Sequence, residues 1–368
     1  MRPTLEVAGN TLSRPLLSDT WHAMPTDHPI VRMSDIAAKL GLSTMTVSRA
    51  LRNQACVKAD TRKKVLQMAQ RLNYCPDPSL AVLNSYRHGL RPRRIVEKVA
   101  FITDFPTPDG WRKAITFVRY FEGVRRRASL LGYDVEPFWL GAMGLSARRA
   151  SEILRSRGIR GIVVGPLAKG HTALRLSWDL FSAVALGRAL ANPELTAISA
   201  NHYQGMELAC SEVVRRGYRR IGYVVTANDE ARTKCAPRAA FQMQQEKFTA
   251  PPIPPLVLPD FSKDAIVAWA KTFKPEVLLT SEQTNYKLLS EGLGRRAGAI
   301  AFVHLNVDPA SDYSGVDQSH DRVGEHAMAL LHLKLLQREA GVSVHGETLF
   351  IRCTWKEGKG RWALRQGA

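Results

Sequence analysis

A chain of 368 residues exceeds what one hydrophobic core usually serves, so two or three domains are expected. Its 45% hydrophobic and 23% charged residues are those of a soluble globular protein. No apolar run approaches the ~18 residues of a membrane span, so no membrane partner is expected. The formal net charge of +19 is concentrated: residues 31–98 carry 14 Lys and Arg against four Asp and Glu, roughly four times the charge density of the chain beyond. That is the footprint of a unit that binds a phosphate backbone.

Residues 1–30 lack the basic-then-apolar order of a secretory signal and show no periodicity. They read as a disordered leader, and the expected address is cytoplasmic. The five cysteines are scattered, with no C-x-x-C pair and no histidine at metal spacing, so neither a disulfide framework, a metal nor a cofactor is expected.

The first strong pattern is SDIAAKLGLSTMTVSRALRN, residues 34–53. Ser34 can cap a first helix, with Asp35 in its first turn and Ile36, Ala37 and Leu40 on one apolar face. Gly41 stands where a helix ends in a left-handed residue. Ser43 or Thr44 then caps a second helix that turns Val47, Ala50 and Leu51 inward. Its outer face offers Thr44, Met45, Ser48, Arg49 and Arg52. A third helix over 59–72 brings Val65, Met68, Ala69 and Leu72 to close a three-helix core. The pattern fits a helix-turn-helix, and equally an ordinary helical hairpin with a solvated basic face.

MSDIAAKLGLSTMTVSRAL followed by TRKKVLQMAQRLNYCPDP closely resembles the DNA-binding headpiece of the lactose-repressor (LacI/GalR) family of bacterial transcription regulators. The matched features are Asp35-Ile36-Ala37, Gly41-Leu42-Ser43, Thr46-Val47-Ser48-Arg49, Thr61, Val65, Asn73-Tyr74 and Pro76. The resemblance implies a headpiece over 31–77 in which Thr44, Met45 and Arg49 read base edges while Ser34, Thr46 and Ser48 contact phosphates. The chemistry agrees, since arginine pairs bidentately with guanine and hydroxyls suit phosphates. Met45 replaces the family's usual polar residue, so the operator sequence does not carry over. Lys58 replaces its serine cap on the third helix and is a candidate phosphate contact. The resemblance further implies a hinge helix and linker over 78–96 that folds on DNA. There Leu83 matches the family's minor-groove leucine, and Leu80 joins it or packs between paired hinges.

From Lys98 the pattern changes to strand–helix alternation. Apolar runs read as buried strands at 99–103, 161–165, 183–187, 221–225, 277–281, 300–306 and, as one strand LFIRCTW, 349–355. Amphipathic stretches such as RYFEGVRRRASLLGY and VGEHAMALLHLKLLQREAG lie between them, which means parallel sheets covered on both faces. Ligands of such sheets bind beyond the carboxyl ends of the strands. This selects Asp104, Phe105, Glu282 and Asn306 as effector-binding candidates. Phe105 and Trp111 are each candidates for an aromatic stack and equally for the core.

The segments AISANHYQGMELACSEVVRRGYRRIGYVV and SGVDQSHDRVGEHAMALLHLKLL resemble the same family's periplasmic-binding-protein-like (type I) ligand domain. The resemblance implies two α/β lobes within 97–358, joined by three crossovers, with a small-molecule effector in the cleft, usually a sugar or nucleobase. The lobes are placed at 97–199 with 309–340 and at 200–308 with 341–358, leaving 359–368 as a tail. The family's effector-binding arginine corresponds to Arg232 or Arg238.

GLGRRAG (292–298) follows a helical stretch and lacks the dinucleotide spacing, and neither a phosphate loop nor a nucleophile elbow occurs. An α/β enzyme fused to a headpiece is therefore the weaker reading. The expected fold is a three-helix headpiece plus a two-lobed α/β ligand domain, an α + α/β chain. The expected function is a sequence-specific repressor controlled by a sugar-like effector. The alternative is a constitutive regulator or architectural DNA binder with no effector. A homodimer on a pseudo-palindromic duplex is expected, because paired recognition helices meet half-sites about one helical turn apart.

Overall fold

The computed structural model describes residues 31–51, 57–72, 74, 97–141, 146–342, 346–360 and 364–365. The chain divides into two units, 1–90 and 91–368. The leader, Arg52 and the hinge segment with Leu80 and Leu83 lie outside the described residues.

In the amino-terminal unit, α1 (Met33–Leu40), α2 (Thr44–Leu51) and α3 (Ala59–Arg71) enclose one small core. Ile36, Ala37, Val47, Ala50, Val57, Val65 and Ala69 are its buried members. Gly41 ends α1 at φ 63° and ψ 32°. Open space surrounds the position where its Cβ would stand, so the left-handed backbone alone demands glycine there. Leu42 N donates to Ala37 O at 3.0 Å and Gly41 N to Ala38 O at 3.4 Å, which closes the helix end and turns the chain. Ser43 caps α2 as expected, its Oγ accepting from Thr46 N at 3.1 Å. The Ser34 cap does not form. The helix begins two residues earlier, at Met33 after Arg32 as N-cap, so Ser34 lies inside the first turn, and Asp35 reaches back to accept from Arg32 N at 2.7 Å. Lys58 precedes α3 without a side-chain cap bond.

The carboxyl-terminal unit holds two six-stranded sheets. The first runs β11 (Thr348–Ile351), β5 (Ala197–Ala200), β4 (Ser182–Leu186), β3 (Gly161–Val164), β1 (Glu97–Thr103), β2 (Tyr133–Trp139), all parallel. The second runs β12 (Thr354–Lys356), β10 (Gly315–Asp317), β9 (Ala301–His304), β8 (Val277–Thr280), β6 (Ile221–Thr226), β7 (Leu256–Leu258). Only the β10–β12 pair in it is antiparallel. Alternation along β1 shows why these strands read as unbroken apolar runs: Val99 and Phe101 enter one core, Ala100 and Ile102 the other. Along β6, Tyr223 and Val225 likewise face away from Val224.

Helices cover both faces. The first lobe carries α4 (Ile115–Leu131), α5 (Ala147–Ser156) and α11 (His320–Gln337). The second carries α6 (His202–Arg215), α7 (Ala227–Thr233), α8 (Ala236–Gln245), α9 (Lys263–Phe273) and α10 (Gln283–Leu293). The chain crosses between lobes three times, at Asn201, at Gln318–Ser319 and at Arg352–Cys353. Two of the expected lobe boundaries move. Residues 315–317 belong to the second sheet, so the crossing falls near 318 and not 309. Residues 348–351 belong to the first sheet, so the chain returns near 352 and not 341. The stretch expected as one strand over 349–355 is two, because Arg352 and Cys353 form the third crossover between them. Residues 364–365 are no loose tail: Leu364 is buried in the second-lobe core and Arg365 lies 4.0 Å over the Tyr218 ring.

Candidate functional site

On the amino-terminal unit, burial of Val47 and Ala50 fixes which side of α2 faces out. Thr44, Met45 and Arg49 are exposed, Met45 to 61%. A long apolar side chain left that open on a small domain contributes nothing to its core. Thr46 is half-buried, its Oγ1 sharing a 2.8 Å hydrogen bond with Ser43 Oγ, and Ser48 is also half-buried. Ser34 and Lys58 are exposed at the starts of α1 and α3. The outer face of α2 ends in the unburied Arg49, and an α-helix fits the width of a major groove.

In the carboxyl-terminal unit a cavity of about 200 Å³ lies between the lobes at the carboxyl ends of the strands. The second lobe contributes Asp229 and Arg232 on α7, Ser281 and Glu282 after β8, and Asn306 after β9. The first contributes Thr116, Phe117 and Tyr120 on α4 and Arg188 after β4, and the crossovers add His202, Gln318, His320 and Cys353. Of the sequence candidates, Arg232, Glu282 and Asn306 are thus brought together. Arg232 donates to Leu167 O at 3.1 Å and lies 5.5 Å over the Phe117 ring.

The other three stand back. Asp104 accepts from Ala168 N at 2.8 Å and pairs with His171 Nδ1 at 2.7 Å, which fixes the loop whose Leu167 carbonyl holds Arg232. Phe105 packs behind Phe117, ring centroids 5.7 Å apart. Arg238 is bound to buried Glu230 at 2.6 Å. Trp111 is fully buried in the first-lobe core, which decides its two readings. The cavity's aromatic walls are instead Phe117 and Tyr120 on α4. Sequence reasoning missed Asp229, which lies four residues beyond the run read as a strand over 221–225.

Burial dominates the electrostatics. It pushes the Glu282 carboxyl up to about 7, with the neighbouring Asp229 charge adding to the shift. Asp229 is itself raised by burial, against the opposing hydrogen bond it accepts from Ser281 Oγ at 3.1 Å. His202 is driven down to about 4 and His320 well below its usual value, both chiefly by desolvation, so the imidazoles are neutral. Tyr120 rises to about 12 by burial. Among the described residues the Glu282 carboxylate accepts no side-chain hydrogen bond, and it faces the cavity.

A carboxyl whose folded value lies above its unfolded one stabilises the fold fully below about pH 4.5, and that contribution is lost as pH rises through about 7. The buried histidines act in the opposite sense, costing stability as pH falls below about 6.5. The difference between variant and wild type isolates Glu282. Glu282→Gln is expected to raise the melting temperature at pH 8 and to leave it nearly unchanged at pH 5. Parallel melting curves at the two pH values would show the carboxyl to be solvated.

Residues 32–77 match the model of bacterial regulatory proteins, lacI family. The chain is 44% identical over 64 residues to the "Probable HTH-type transcriptional repressor ExuR" of Bacillus subtilis (strain 168), covering 17% of this chain and 19% of that protein. It is 24% identical over 201 residues to the sucrose operon repressor of Lactococcus lactis subsp. lactis, covering 54% of this chain and 57% of that one. These alignments therefore span less than two thirds of either relative. Among solved structures, the lac repressor dimer bound to operator and the anti-inducer ONPF superposes with a TM-score of 0.51 at 16% identity, covering 90% of this chain and 99% of that one, a likeness of fold.

Proposed function

We propose that this chain, a member of the lacI family of bacterial regulatory proteins through its amino-terminal domain, is a cytoplasmic, homodimeric repressor that binds a pseudo-palindromic operator and is switched by a carbohydrate in its interlobe cavity. The observation that carries the reading is the α2 face: a capped recognition helix on a three-helix core, with Thr44, Met45 and Arg49 turned to solvent. Arg49 suits a guanine edge and Met45 a thymine methyl. Thr46, Ser48, Ser34 and Lys58 suit the flanking phosphates.

The cavity supports the second half of the reading. It alternates hydroxyl, carboxamide and carboxyl groups with the Phe117 and Tyr120 rings, the mixture that holds a polyhydroxylated neutral molecule. Glu282 and Asp229 accept from sugar hydroxyls, and Arg232 donates. The ligand and the operator change each other's affinity by one common factor, as linkage requires.

Selection of random duplexes by the full chain, followed by sequencing, tests the DNA half. Enrichment of a two-fold related motif with half-sites about one helical turn apart is expected. Flat enrichment would overturn it. Repeating the selected duplex titration against a panel of mono- and disaccharides tests the second half. If the affinity is the same with every sugar, the cavity does not bind a carbohydrate switch and the constitutive reading replaces it.

A further inference from the structure

The two lobes are tied to each other inside the cavity, and one side chain makes the tie from both ends. Asn306 follows β9 in the second lobe. Its Nδ2 donates to Thr116 Oγ1 of α4 at 2.9 Å, and its Oδ1 lies 2.6 Å from His320 Nε2 at the start of α11. Both partners belong to the first lobe. Because the amide oxygen can only accept, His320 carries its proton on Nε2, and desolvation keeps the ring neutral. That ring is fixed in turn by an edge contact with Tyr120, centroids 4.8 Å apart. We propose that the Asn306 carboxamide is an interlobe latch, clipped between Thr116 and His320, that sets how far the cleft opens.

The same two helices make a second tie one turn further on. Arg119 of α4 forks onto Asp317 of β10, in the second lobe, at 2.8 and 3.4 Å and also reaches Asp321 of α11 at 2.7 Å. Thr116 and Arg119 are three residues apart, so both ties leave one face of α4. Asp317 Oδ1 additionally accepts from Ser319 N at 2.9 Å, holding the second crossover. Asn306 lines the cavity wall together with Thr116 and His320, as does Arg232, whose bond to Leu167 O also runs from the second lobe to the first. The Asn306 carboxamide therefore positions lobe against lobe, with both polar ends engaged by the chain itself. This assignment is independent of what the cavity binds and of whether the chain binds DNA.

Hydrogen–deuterium exchange of the full chain, followed by mass spectrometry, tests the latch by reading one lobe while altering the other. Asn306→Ala is expected to speed exchange roughly two- to tenfold, the effect of losing an ordinary hydrogen bond on an opening equilibrium, in the first-lobe segment 114–120 as well as locally at 304–308. Thr116→Val removes the same bond from the other side, and its shape-conserving change keeps the test available if Asn306→Ala does not fold. It should speed exchange at 304–308. His320→Gln retains a nitrogen donor and should restore slower exchange relative to His320→Ala. Changes confined to the mutated lobe in both Asn306→Ala and Thr116→Val would overturn the proposal and leave Asn306 a local structural residue.

Discussion

Arg49→Ala is expected to weaken binding to the selected operator by about 1–3 kcal/mol, roughly 5- to 150-fold, and to relax the base preference at one position in each half-site. The magnitude follows from what the guanidinium would lose. Paired with both acceptors of a guanine it makes two parallel bonds in a groove from which water is partly excluded. The folded domain loses nothing comparable, since Arg49 is exposed and among the described residues joins no ion pair. Melting temperature should therefore stay within a degree or two of wild type, which separates a recognition defect from an unfolded headpiece. Removing a phosphate contact would instead weaken all sequences alike and flatten the salt dependence. Titrating the selected duplex and single-base variants at two salt concentrations distinguishes these cases. Equal affinity for the native duplex would remove Arg49 from the reading face.

The headpiece was legible because its signals are local. A glycine that must adopt a positive φ, a serine three residues before the amide it caps, and apolar spacing on three short helices are each decided within a few residues. Even the error was local: the helix starts two residues before the expected cap, and the Asp35 carboxylate closes its first turn on the Arg32 amide. The strand–helix alternation of the body was legible for a similar reason, since doubly covered parallel strands are apolar along their whole length. The strands at 133–139, 197–200, 256–258 and 315–317 were lost, and in the first of them Asp134, Glu136 and Pro137 interrupt the apolar pattern. Residues 256–258 and 315–317 are only three residues long and carry no periodicity of their own. The cavity was the least legible part. Strand ends pointed to Glu282 and Asn306, yet Thr116, Tyr120 and His320 lie on helices brought to the site by crossovers far apart in sequence. Whether Asp104 faces a ligand or braces the loop that holds Arg232 depends on the path of residues 166–171, which no pattern near residue 104 encodes.

The close backbone contact between α4 and α11 predicts a large structural effect. At Gly324 on α11, an added Cβ would stand 2.2 Å from Tyr120 O and 2.9 Å from Val124 N, both backbone atoms of α4. At Gly123 on α4 the reciprocal Cβ would stand 2.0 Å from Asp321 O. Backbone meets backbone here, so no side chain can swing aside and the helices themselves must separate. Gly324→Ala gains about 1 kcal/mol of helix propensity. Overpacking costs typically 1–3 kcal/mol and more where the backbone must move, so the strain wins. The melting temperature should fall by several degrees, at about 2–4 °C per kcal/mol for a domain of this size. Gly298→Ala, whose Cβ would meet nothing within 4 Å, should leave it unchanged. The consequence reaches the cavity, because α4 carries Thr116, Arg119 and Tyr120 while α11 carries His320 and Asp321. Spreading the helices lengthens the Arg119–Asp321 ion pair and pulls both first-lobe partners away from Asn306. Gly324→Ala should therefore also speed exchange at 304–308 in the opposite lobe, at temperatures well below its unfolding. A variant that melts with wild type and exchanges like it would show that the two helices tolerate a wider spacing without strain.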